Sequence, residues 1–204
     1  MAAPRLESAP DESHAKSFDI LGKIDQPWTA QMALDLLPEN NGPKVEVVCG
    51  SVVVSPHARR YHQMIERELP SSLHRAARPY GMEAYPEVNI VSGDDLFIPD
   101  FVVARRSRGD WVSLPISEVV LIGEIVSPGS RRKELIDRPR VYAEAGVPYF
   151  LRVEVRNRIP ALALHQLVDG AYRPIVAAAA GALFTMTEPF PFEIDPAALL
   201  DGED

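Results

Sequence analysis

The sequence predicts an α+β fold, α/β-like in part, in which helices flank a mixed β-sheet. Short apolar or alternating runs typical of strands recur between residues 45 and 176. Two segments, 58–77 and 130–145, have the apolar spacing of helices. The second segment connects two apolar runs, and a helix in that position joins parallel strands of one sheet. At least one parallel pair is therefore expected within the mixed sheet.

The first elements are a short helix and a hairpin. Apolar residues within 29–37 predict the helix. In the run KVEVVCGSVVVSP, strands at 45–49 and 51–55 are expected to join tightly around Gly50. Because side chains alternate along a strand, Glu46 is expected on the opposite face from Val45 and Val47.

A helix and three strands are expected next. The helix covers 58–77, and Pro70 is expected to kink or split it. Strands are predicted at 85–91 and 96–104, separated by a Ser-Gly-Asp-Asp turn. The run 118–126 is almost continuously apolar, which indicates a central strand that is covered on both faces.

The second helix, 130–145, is expected to end at Gly146. Pro139 leaves another reading open, in which a short turn precedes a helix that begins near this proline. Asp169 and Gly170 form a strong two-residue hairpin signal. The remaining strands are expected at 148–155, 162–168 and 171–176.

The 204 residues are enough for one well-buried domain. Residues 1–17 are rich in Ala, Pro, Ser and charge, which predicts a disordered tail, and 18–204 are expected to form a single domain. No segment has the roughly 18 apolar residues of a membrane span, and no secretory signal is recognisable, so a cytoplasmic location is expected. The single Cys49 cannot form an internal disulfide, and we expect it to be a small buried residue.

The charge distribution bears on possible partners. A net charge of −8 argues against a general nucleic-acid binder, because non-specific affinity for phosphates comes from clustered Lys and Arg. Residues 101–160, however, hold 11 basic and 7 acidic residues, a local excess of +4. One face could therefore be cationic, or the arginines could simply solvate the outer faces of strands and helices.

Two acids are the first candidates for chemistry. Asp100 follows Pro99 at the start of the apolar strand FVVA, where an acid is either a functional group or only a turn former. Glu124 lies within VVLIGEIV, and a buried carboxylate costs several kcal/mol unless a charge, a metal or hydrogen bonds offset it. A structural ion pair with a helix arginine, or a place at the solvent edge, would also explain Glu124. Together the acids offer oxygen ligands that suit Mg²⁺ or Mn²⁺.

Further candidates surround this pair. Glu46 is a possible third acid, although a surface glutamate would look the same in the sequence. Glu134, Arg138 and Tyr142 recur at helical spacing, so Arg138 could stabilise charge on a phosphate, and Tyr142 could hydrogen-bond a ligand. A salt-bridged Glu134–Arg138 pair on a solvated face is the alternative. His62 is either a base or phosphate contact or a structural histidine.

Several common motifs are missing from the sequence. It has no HExxH zinc motif, no Gly-Lys-Ser/Thr phosphate loop and no Gly-x-Ser-x-Gly elbow. These absences argue against a zinc protease, a P-loop NTPase and an α/β-hydrolase.

The order of the remaining motifs resembles the Uma-type endonuclease-like family of the PD-(D/E)XK nuclease superfamily. The motifs are VEVVCGSVVVSP, a histidine after the Ser-Pro turn, IPDFVVA, and GEIVSPGSRRKELIDRPRVYAEAGVPYFLRVE. The resemblance covers roughly residues 28–196. In the family pattern these correspond to an acid and glycine in the first hairpin, a Pro-Asp, a Glu-x-x-Ser-Pro and an acid-x-x-x-Lys helix. The matching positions are Glu46, Gly50, His62, Pro99, Asp100, Glu124, Ser127, Pro128, Glu134, Arg138, Tyr142, Gly146, Val147 and Pro148.

The resemblance implies a restriction-endonuclease-like core that hydrolyses phosphodiester bonds of nucleic acid, with DNA as the expected substrate and a homodimer as the expected assembly. It implies Mg²⁺ or Mn²⁺ held by Asp100 and Glu124 with support from Glu46. Arg138 completes the expected catalytic set. The expected substrate-binding residues are His62, Tyr142, Arg131 and Arg132.

The chain departs from the superfamily at its third motif. The pattern Glu-x-Lys reads Glu124-Ile125-Val126 here, so the lysine is missing. Related sequences move the cation to the next helix, where this chain has Arg138, and an arginine can hold a phosphate but cannot act as a base. The alternative reading is therefore a catalytically inactive relative that keeps the fold as a binding or interaction module.

Overall fold

The structure is a computed structural model that describes residues 26–37, 43–55, 58–126 and 138–200. Predictions for 1–17, Arg131, Arg132 and Glu134 lie outside the described residues. The helices are α1 (Ala30–Leu36), α2 (Arg60–Ala77) and α3 (Arg138–Glu144), with 3₁₀ turns at Arg78–Tyr80, Ile116–Glu118 and Pro196–Leu199. The strands are β1 (Lys44–Val48), β2 (Ser51–Ser55), β3 (Met82–Pro86), β4 (Asn89–Ser92), β5 (Asp95–Phe97), β6 (Phe101–Arg105), β7 (Ser113–Pro115), β8 (Val119–Val126), β9 (Tyr149–Arg156), β10 (Ile159–Val168), β11 (Ala171–Ala179), β12 (Phe184–Met186) and β13 (Phe192–Ile194).

The strands form two main sheets and one small hairpin. The six-stranded sheet has the order β11-β10-β9-β8-β6-β3, and the five-stranded sheet has the order β2-β1-β5-β4-β7. Strands β8 and β9 run parallel, as do β4 and β7, while the other pairs are antiparallel. The predicted α+β class, the mixed sheet and the parallel crossover pair are confirmed.

Strand β8 is central, as its apolar sequence predicts. It lies between β6 and β9, and both of its faces are covered. Leu121 and Ile125 pack in a core with Leu69 of α2. Ile122 packs in a second core with Tyr142 of α3. Because Glu124 shares the alternation of Ile122, its side chain belongs to the α3 side of the sheet.

The first hairpin is confirmed, with one correction at its turn. Cys49 and Gly50 have φ values of +49° and +75°, which fits the tight turn that joins two twisted strands. The expectation that Cys49 is buried is wrong, because it occupies this exposed turn. Glu46 is fully buried, since β1 lies between β2 and β5 and is not an edge strand.

The predicted strands at 85–91 and 96–104 are each divided into two. Their outer parts, β3 and β6, belong to the six-stranded sheet, and their inner parts, β4 and β5, belong to the five-stranded sheet. The breaks fall at Glu87, with φ +44°, and at Pro99, which has no N–H for a sheet ladder. The N–H of Glu87 donates to the carbonyl of Asp100 at 3.2 Å. We call the segment 98–100 the sheet crossing, because the chain passes there from one sheet to the other.

The helices agree with the predictions in position but not in every detail. Helix α2 continues through buried Pro70 as one helix, so the predicted division into two does not occur. Helix α3 ends at Glu144, close to the predicted end, and Gly146 has φ +80°. No helix in the described ranges is long and apolar enough to cross a membrane.

The C-terminal third is a run of antiparallel strands. The hairpin of β10 and β11 turns at Asp169 and Gly170 as predicted. The sequence analysis missed the short pair β12 and β13, which adds to the core over α2.

Candidate functional site

Four buried charged side chains lie around the sheet crossing. Among the described residues, Glu46, Asp100, Glu124 and Arg138 are the charged side chains that are buried, with 0, 5, 3 and 8% of their surface exposed. They come from β1, the sheet crossing, β8 and α3, so distant parts of the sequence supply one site. Burial of charge at this density has a large free-energy cost unless the charges compensate one another.

The two sheets hold the acids in place through backbone contacts. Phe101 of β6 pairs with Gly123 of β8, so Asp100 and Glu124 follow at adjacent positions. The N–H of Ile125 donates to Asp100 Oδ2 at 2.7 Å, which fixes the carboxylate against β8. Gly123 is needed for this register, because a Cβ there would lie 2.0 Å from the Phe101 ring.

Arg138 joins two of the acids to Tyr142 in what we call the guanidinium cluster (Glu46, Glu124, Arg138 and Tyr142). Arg138 Nη2 donates to Glu46 Oε1 at 2.6 Å, and Nη1 donates to Glu124 Oε1 at 3.0 Å and to the Tyr142 hydroxyl at 2.7 Å. The Tyr142 hydroxyl in turn donates to Glu124 Oε1 at 2.6 Å. Glu46 Oε1 also accepts the N–H of Ile98, which ties this cluster to the sheet crossing.

Burial dominates the electrostatics of the guanidinium cluster. It raises the pKa of the Glu124 carboxyl to about 7, against the lowering effect of the Arg138 charge. Burial and the negative charge of Glu124 raise the pKa of the Tyr142 hydroxyl well above its ordinary value, so this group keeps its proton. The Glu46 and Glu124 carboxyl groups share one guanidinium, which stays charged.

A second set of side chains surrounds Asp100, and we call it the histidine cluster (Lys44, His62, Glu66 and Asp100). Lys44 Nζ lies 2.6 Å from Asp100 Oδ1 and 3.7 Å from Glu66 Oε1. His62 Nε2 lies 3.2 Å from Asp100 Oδ1 and 3.9 Å from Glu66 Oε1. Lys44 also reaches Glu87 Oε1 at 2.8 Å, at the rim of the cluster.

Two atoms of the histidine cluster are buried without a hydrogen-bond partner. They are His62 Nε2 and Glu66 Oε1, judged among the residues that the structure describes. The 3.2 Å approach of Nε2 to Asp100 is close enough for an ion pair but lacks the direction of a hydrogen bond. One nitrogen and two carboxylate oxygens, from His62, Glu66 and Asp100, lie within 4.8 Å of one another. Buried polar atoms without a hydrogen bond are uncommon in folded proteins, so this convergence marks a candidate place for a further group.

The pKa values in the histidine cluster diverge strongly. Burial raises the pKa of the Glu66 carboxyl to about 7, despite the nearby charge of Lys44. Burial also acts to raise the pKa of Asp100, but His62 and Lys44 outweigh it and hold that pKa well below its usual range. For Lys44 and His62, burial acts to lower the pKa, and the adjacent carboxylates outweigh it, so both pKa values are raised.

The two clusters differ in how well they would accommodate a divalent ion. The carboxylates of Glu46 and Glu124 face Arg138, so a metal bound by them would require the guanidinium to leave. In the histidine cluster a nitrogen and two oxygens already converge on a common point, and their chemistry suits a divalent cation. Of the predicted ligands, Asp100 is the one that belongs to a convergent donor set, and the roles of Glu46 and Glu124 as ligands stay predictions.

The structure brings together five residues from the sequence analysis: Glu46, His62, Asp100, Glu124 and Arg138, with Tyr142 beside them. The reading of Glu46 as a surface residue is wrong. Lys44 and Glu66 were not predicted as site residues, although the spacing of each in the sequence indicates its position. Lys44 lies two residues before Glu46 and so shares its strand face, and Glu66 follows His62 by one helical turn.

The mixed sheets with few flanking helices define a nuclease-like fold of the restriction-endonuclease type. A solved structure described as a "putative nuclease belonging to DUF820" from Anabaena variabilis has the same fold, with TM-score 0.59 and 18% identity over 76% of this chain and 86% of that chain. The family model described as "Uma2: Putative restriction endonuclease" matches residues 30–199. The chain therefore belongs to the Uma2 family, as the sequence motifs indicated. No curated protein matches it.

Proposed function

We propose that the chain is a metal-dependent endonuclease that hydrolyses phosphodiester bonds of nucleic acid, with DNA as the principal substrate. The main observation that supports this function is that acids and cations from separate elements of the fold come together at the sheet crossing. The matching family and the solved structural neighbour are both described as nucleases, which supports the same activity.

The proposed mechanism assigns each group a task. Asp100 would hold Mg²⁺ or Mn²⁺, and the ion would supply a water of lowered pKa and offset charge on the phosphate. Asp100 is a ligand whose second oxygen is held by the N–H of Ile125, so its carboxylate cannot rotate freely. Arg138 holds Glu46 and Glu124 in fixed positions and keeps positive charge beside the reacting phosphate. His62 contacts Asp100, and the Tyr142 hydroxyl donates to Glu124, so both belong to the proposed site.

The proposal extends to partners and location. The local excess of basic residues in 101–160 provides the charge that a polyanion needs, while the rest of the chain is acidic. We also propose a homodimer, with Arg131 and Arg132 as further DNA contacts, and a cytoplasmic location.

A second candidate function has an observation in its favour. Lys44 and Arg138 already form ion pairs with Asp100, Glu46 and Glu124, which is also the arrangement of a nuclease fold that has become a binding module. The lysine expected at Val126 is absent as well. Such a protein would bind nucleic acid in a salt-dependent manner without cutting it.

The experiment incubates the purified full chain with supercoiled plasmid, linear duplex DNA, single-stranded DNA and RNA, in Mg²⁺, Mn²⁺ or EDTA. We expect cleavage with a divalent ion and none in EDTA. Asp100→Asn should reduce the rate by about 100-fold or more, because it removes a charged ligand of the metal that stabilises the transition state. Asp110→Asn, an exposed acid, is the matched control and should keep full activity.

Two results would contradict the proposal. One is the absence of cleavage of every substrate in both ions, with salt-sensitive DNA binding retained, which favours the binding module. The other is cleavage that Asp100→Asn leaves unchanged, which would place the reaction elsewhere or in a contaminant.

A further inference from the structure

We propose that His62, Glu66 and Asp100 form the divalent-metal site of this chain, that the site prefers Mn²⁺ to Mg²⁺, and that Lys44 occupies it as a competing cation when the metal is absent. The use of the ion in cleavage rests on the proposed function, whereas its binding does not. This site differs from the ligand set Asp100, Glu124 and Glu46 that the family resemblance implies.

The positions of His62, Glu66 and Asp100 suit a shared metal ion. His62 and Glu66 lie one helical turn apart on α2 and so project from the same side of the helix toward Asp100. One donor atom from each of the three side chains lies within 4.8 Å of the other two. His62 Nε2 and Glu66 Oε1 are buried and have no hydrogen-bond partner among the described residues. A metal ion that takes the place of the His62 proton would bind Nε2 through the lone pair that this proton occupies.

The charges around Lys44 also favour a divalent ion. Glu66, Glu87 and Asp100 all lie within 4 Å of the Lys44 ammonium, so three carboxylates face one positive charge. With a neutral His62 as ligand, a divalent ion supplies the two charges that the cluster lacks. The guanidinium cluster has no such place, because Arg138 already lies between its two carboxylates.

The position of Lys44 supports its competition with the metal for Asp100. Its ammonium contacts Asp100 Oδ1 at 2.6 Å, which is the same oxygen that lies nearest to His62. A metal bound to Asp100 and Glu66 would repel the ammonium at this distance. The displaced ammonium would keep one partner, because Lys44 Nζ already lies 2.8 Å from Glu87 Oε1. Glu87 is at the more exposed rim of the cluster.

The donor types support the preference for Mn²⁺. Mg²⁺ favours oxygen ligands and retains its waters, whereas a site with an imidazole nitrogen suits a transition metal better. Replacement of the nitrogen should therefore weaken Mn²⁺ binding more than Mg²⁺ binding.

The test measures Mn²⁺ binding to the full chain without nucleic acid, by titration calorimetry and by electron spin-echo envelope modulation of the bound ion. We expect ¹⁴N coupling from an imidazole in the wild type, and tighter binding of Mn²⁺ than of Mg²⁺. His62→Ala and Glu66→Gln should each weaken Mn²⁺ binding by roughly 10- to 100-fold, and His62→Ala should remove the ¹⁴N signal. Lys44→Met should tighten binding, because the competing charge is gone.

The controls separate this site from its rival. Glu68→Gln changes a half-exposed acid on the same helix, which pairs with Arg67 outside the proposed ligand set, and should leave binding unchanged. Glu124→Gln should keep the ¹⁴N signal, since Glu124 lies outside the proposed ligand set. The proposal is overturned if the bound Mn²⁺ has no ¹⁴N coupling in the wild type, a measurement that needs no variant to fold. It is also overturned if Lys44→Met weakens binding or if no Mn²⁺ binds.

Cleavage assays on the same preparations distinguish this inference from the proposed function. Nitrogen-coupled Mn²⁺ binding without cleavage of any nucleic acid would support the site and contradict the nuclease. Metal-dependent cleavage with Mn²⁺ bound through oxygen alone would support the nuclease and contradict the site.

Discussion

The guanidinium cluster and the histidine cluster meet at the same sheet crossing but differ in how their polar atoms are satisfied. In the guanidinium cluster, directed hydrogen bonds of 2.5 to 3.0 Å join Arg138 to both carboxylates and to Tyr142, and only the Arg138 Nε is without a partner among the described residues. In the histidine cluster, His62 Nε2 and Glu66 Oε1 are buried and have no hydrogen-bond partner within the part of the chain that the structure describes.

The difference indicates a division of tasks. A buried ion-pair network whose members satisfy one another resists the removal of any one partner. A convergent set with unpartnered atoms is incomplete and is suited to take up a ligand. We therefore expect substitutions in the guanidinium cluster to affect stability, and substitutions in the histidine cluster to affect metal binding.

The largest effect is expected for Arg138→Met, which leaves Glu46 and Glu124 buried without their cation. The free energy of unfolding should fall by about 3 to 5 kcal/mol in urea titrations without metal. Arg140→Met, on an exposed arginine of the same helix, should change it by less than about 0.5 kcal/mol. A loss below about 1 kcal/mol for Arg138→Met would mean that this cluster is not structural.

Gly123→Ala should disturb both clusters together. The new Cβ would overlap the ring of buried Phe101, so β6 and β8 must shift. We therefore expect the free energy of unfolding to fall by about 2 to 3 kcal/mol. In a double-mutant cycle, Phe101→Leu should relieve part of that loss, because the two positions are in direct contact. Strict additivity of the two losses would contradict the proposed overlap.

Tyr142→Phe should have a smaller effect that is confined to the guanidinium cluster. It removes the hydrogen bond to Glu124 and the acceptor for Arg138. We expect the free energy of unfolding to fall by about 1 to 2 kcal/mol. Thermal unfolding of Tyr80→Phe, at an exposed position, provides the comparison and should match the wild type. Unchanged stability in Tyr142→Phe would show that the hydroxyl is not part of the network.

Glu66→Gln should have the smallest effect on stability. In metal-free buffer we expect no loss in the free energy of unfolding, or a gain of up to about 1 kcal/mol, because the substitution removes the charge of a carboxylate whose Oε1 is buried without a hydrogen bond among the described residues. Saturating Mn²⁺ at about 100 times its Kd should stabilise the wild type by about 2.7 kcal/mol and the variant by much less. Equal stabilisation of both proteins would exclude Glu66 from the site.

The sequence predicted much of this arrangement for local reasons. The Pro-Asp step and the apolar run around Glu124 were visible signals, and alternation within β1 placed Glu46 on the face opposite two valines of its strand, where the structure buries it. The i, i+4 spacing on the last helix brought Arg138 and Tyr142 together.

What the sequence did not reveal depends on long-range contacts. The run at 96–104 reads as one apolar strand, and nothing local shows that it leaves one sheet for the other at Pro99. Without that crossing, Lys44 cannot be placed beside Asp100, 56 residues away. Glu66 was overlooked because a polar residue on a helix is usually solvated.

The most direct test of the division between the two clusters is anomalous diffraction from crystals of the full chain soaked in Mn²⁺. The account predicts one strong peak bounded by His62 Nε2, Glu66 Oε1 and Asp100 Oδ1, with Arg138 still paired to Glu46 and Glu124. A peak among Asp100, Glu124 and Glu46 with the guanidinium displaced would contradict it.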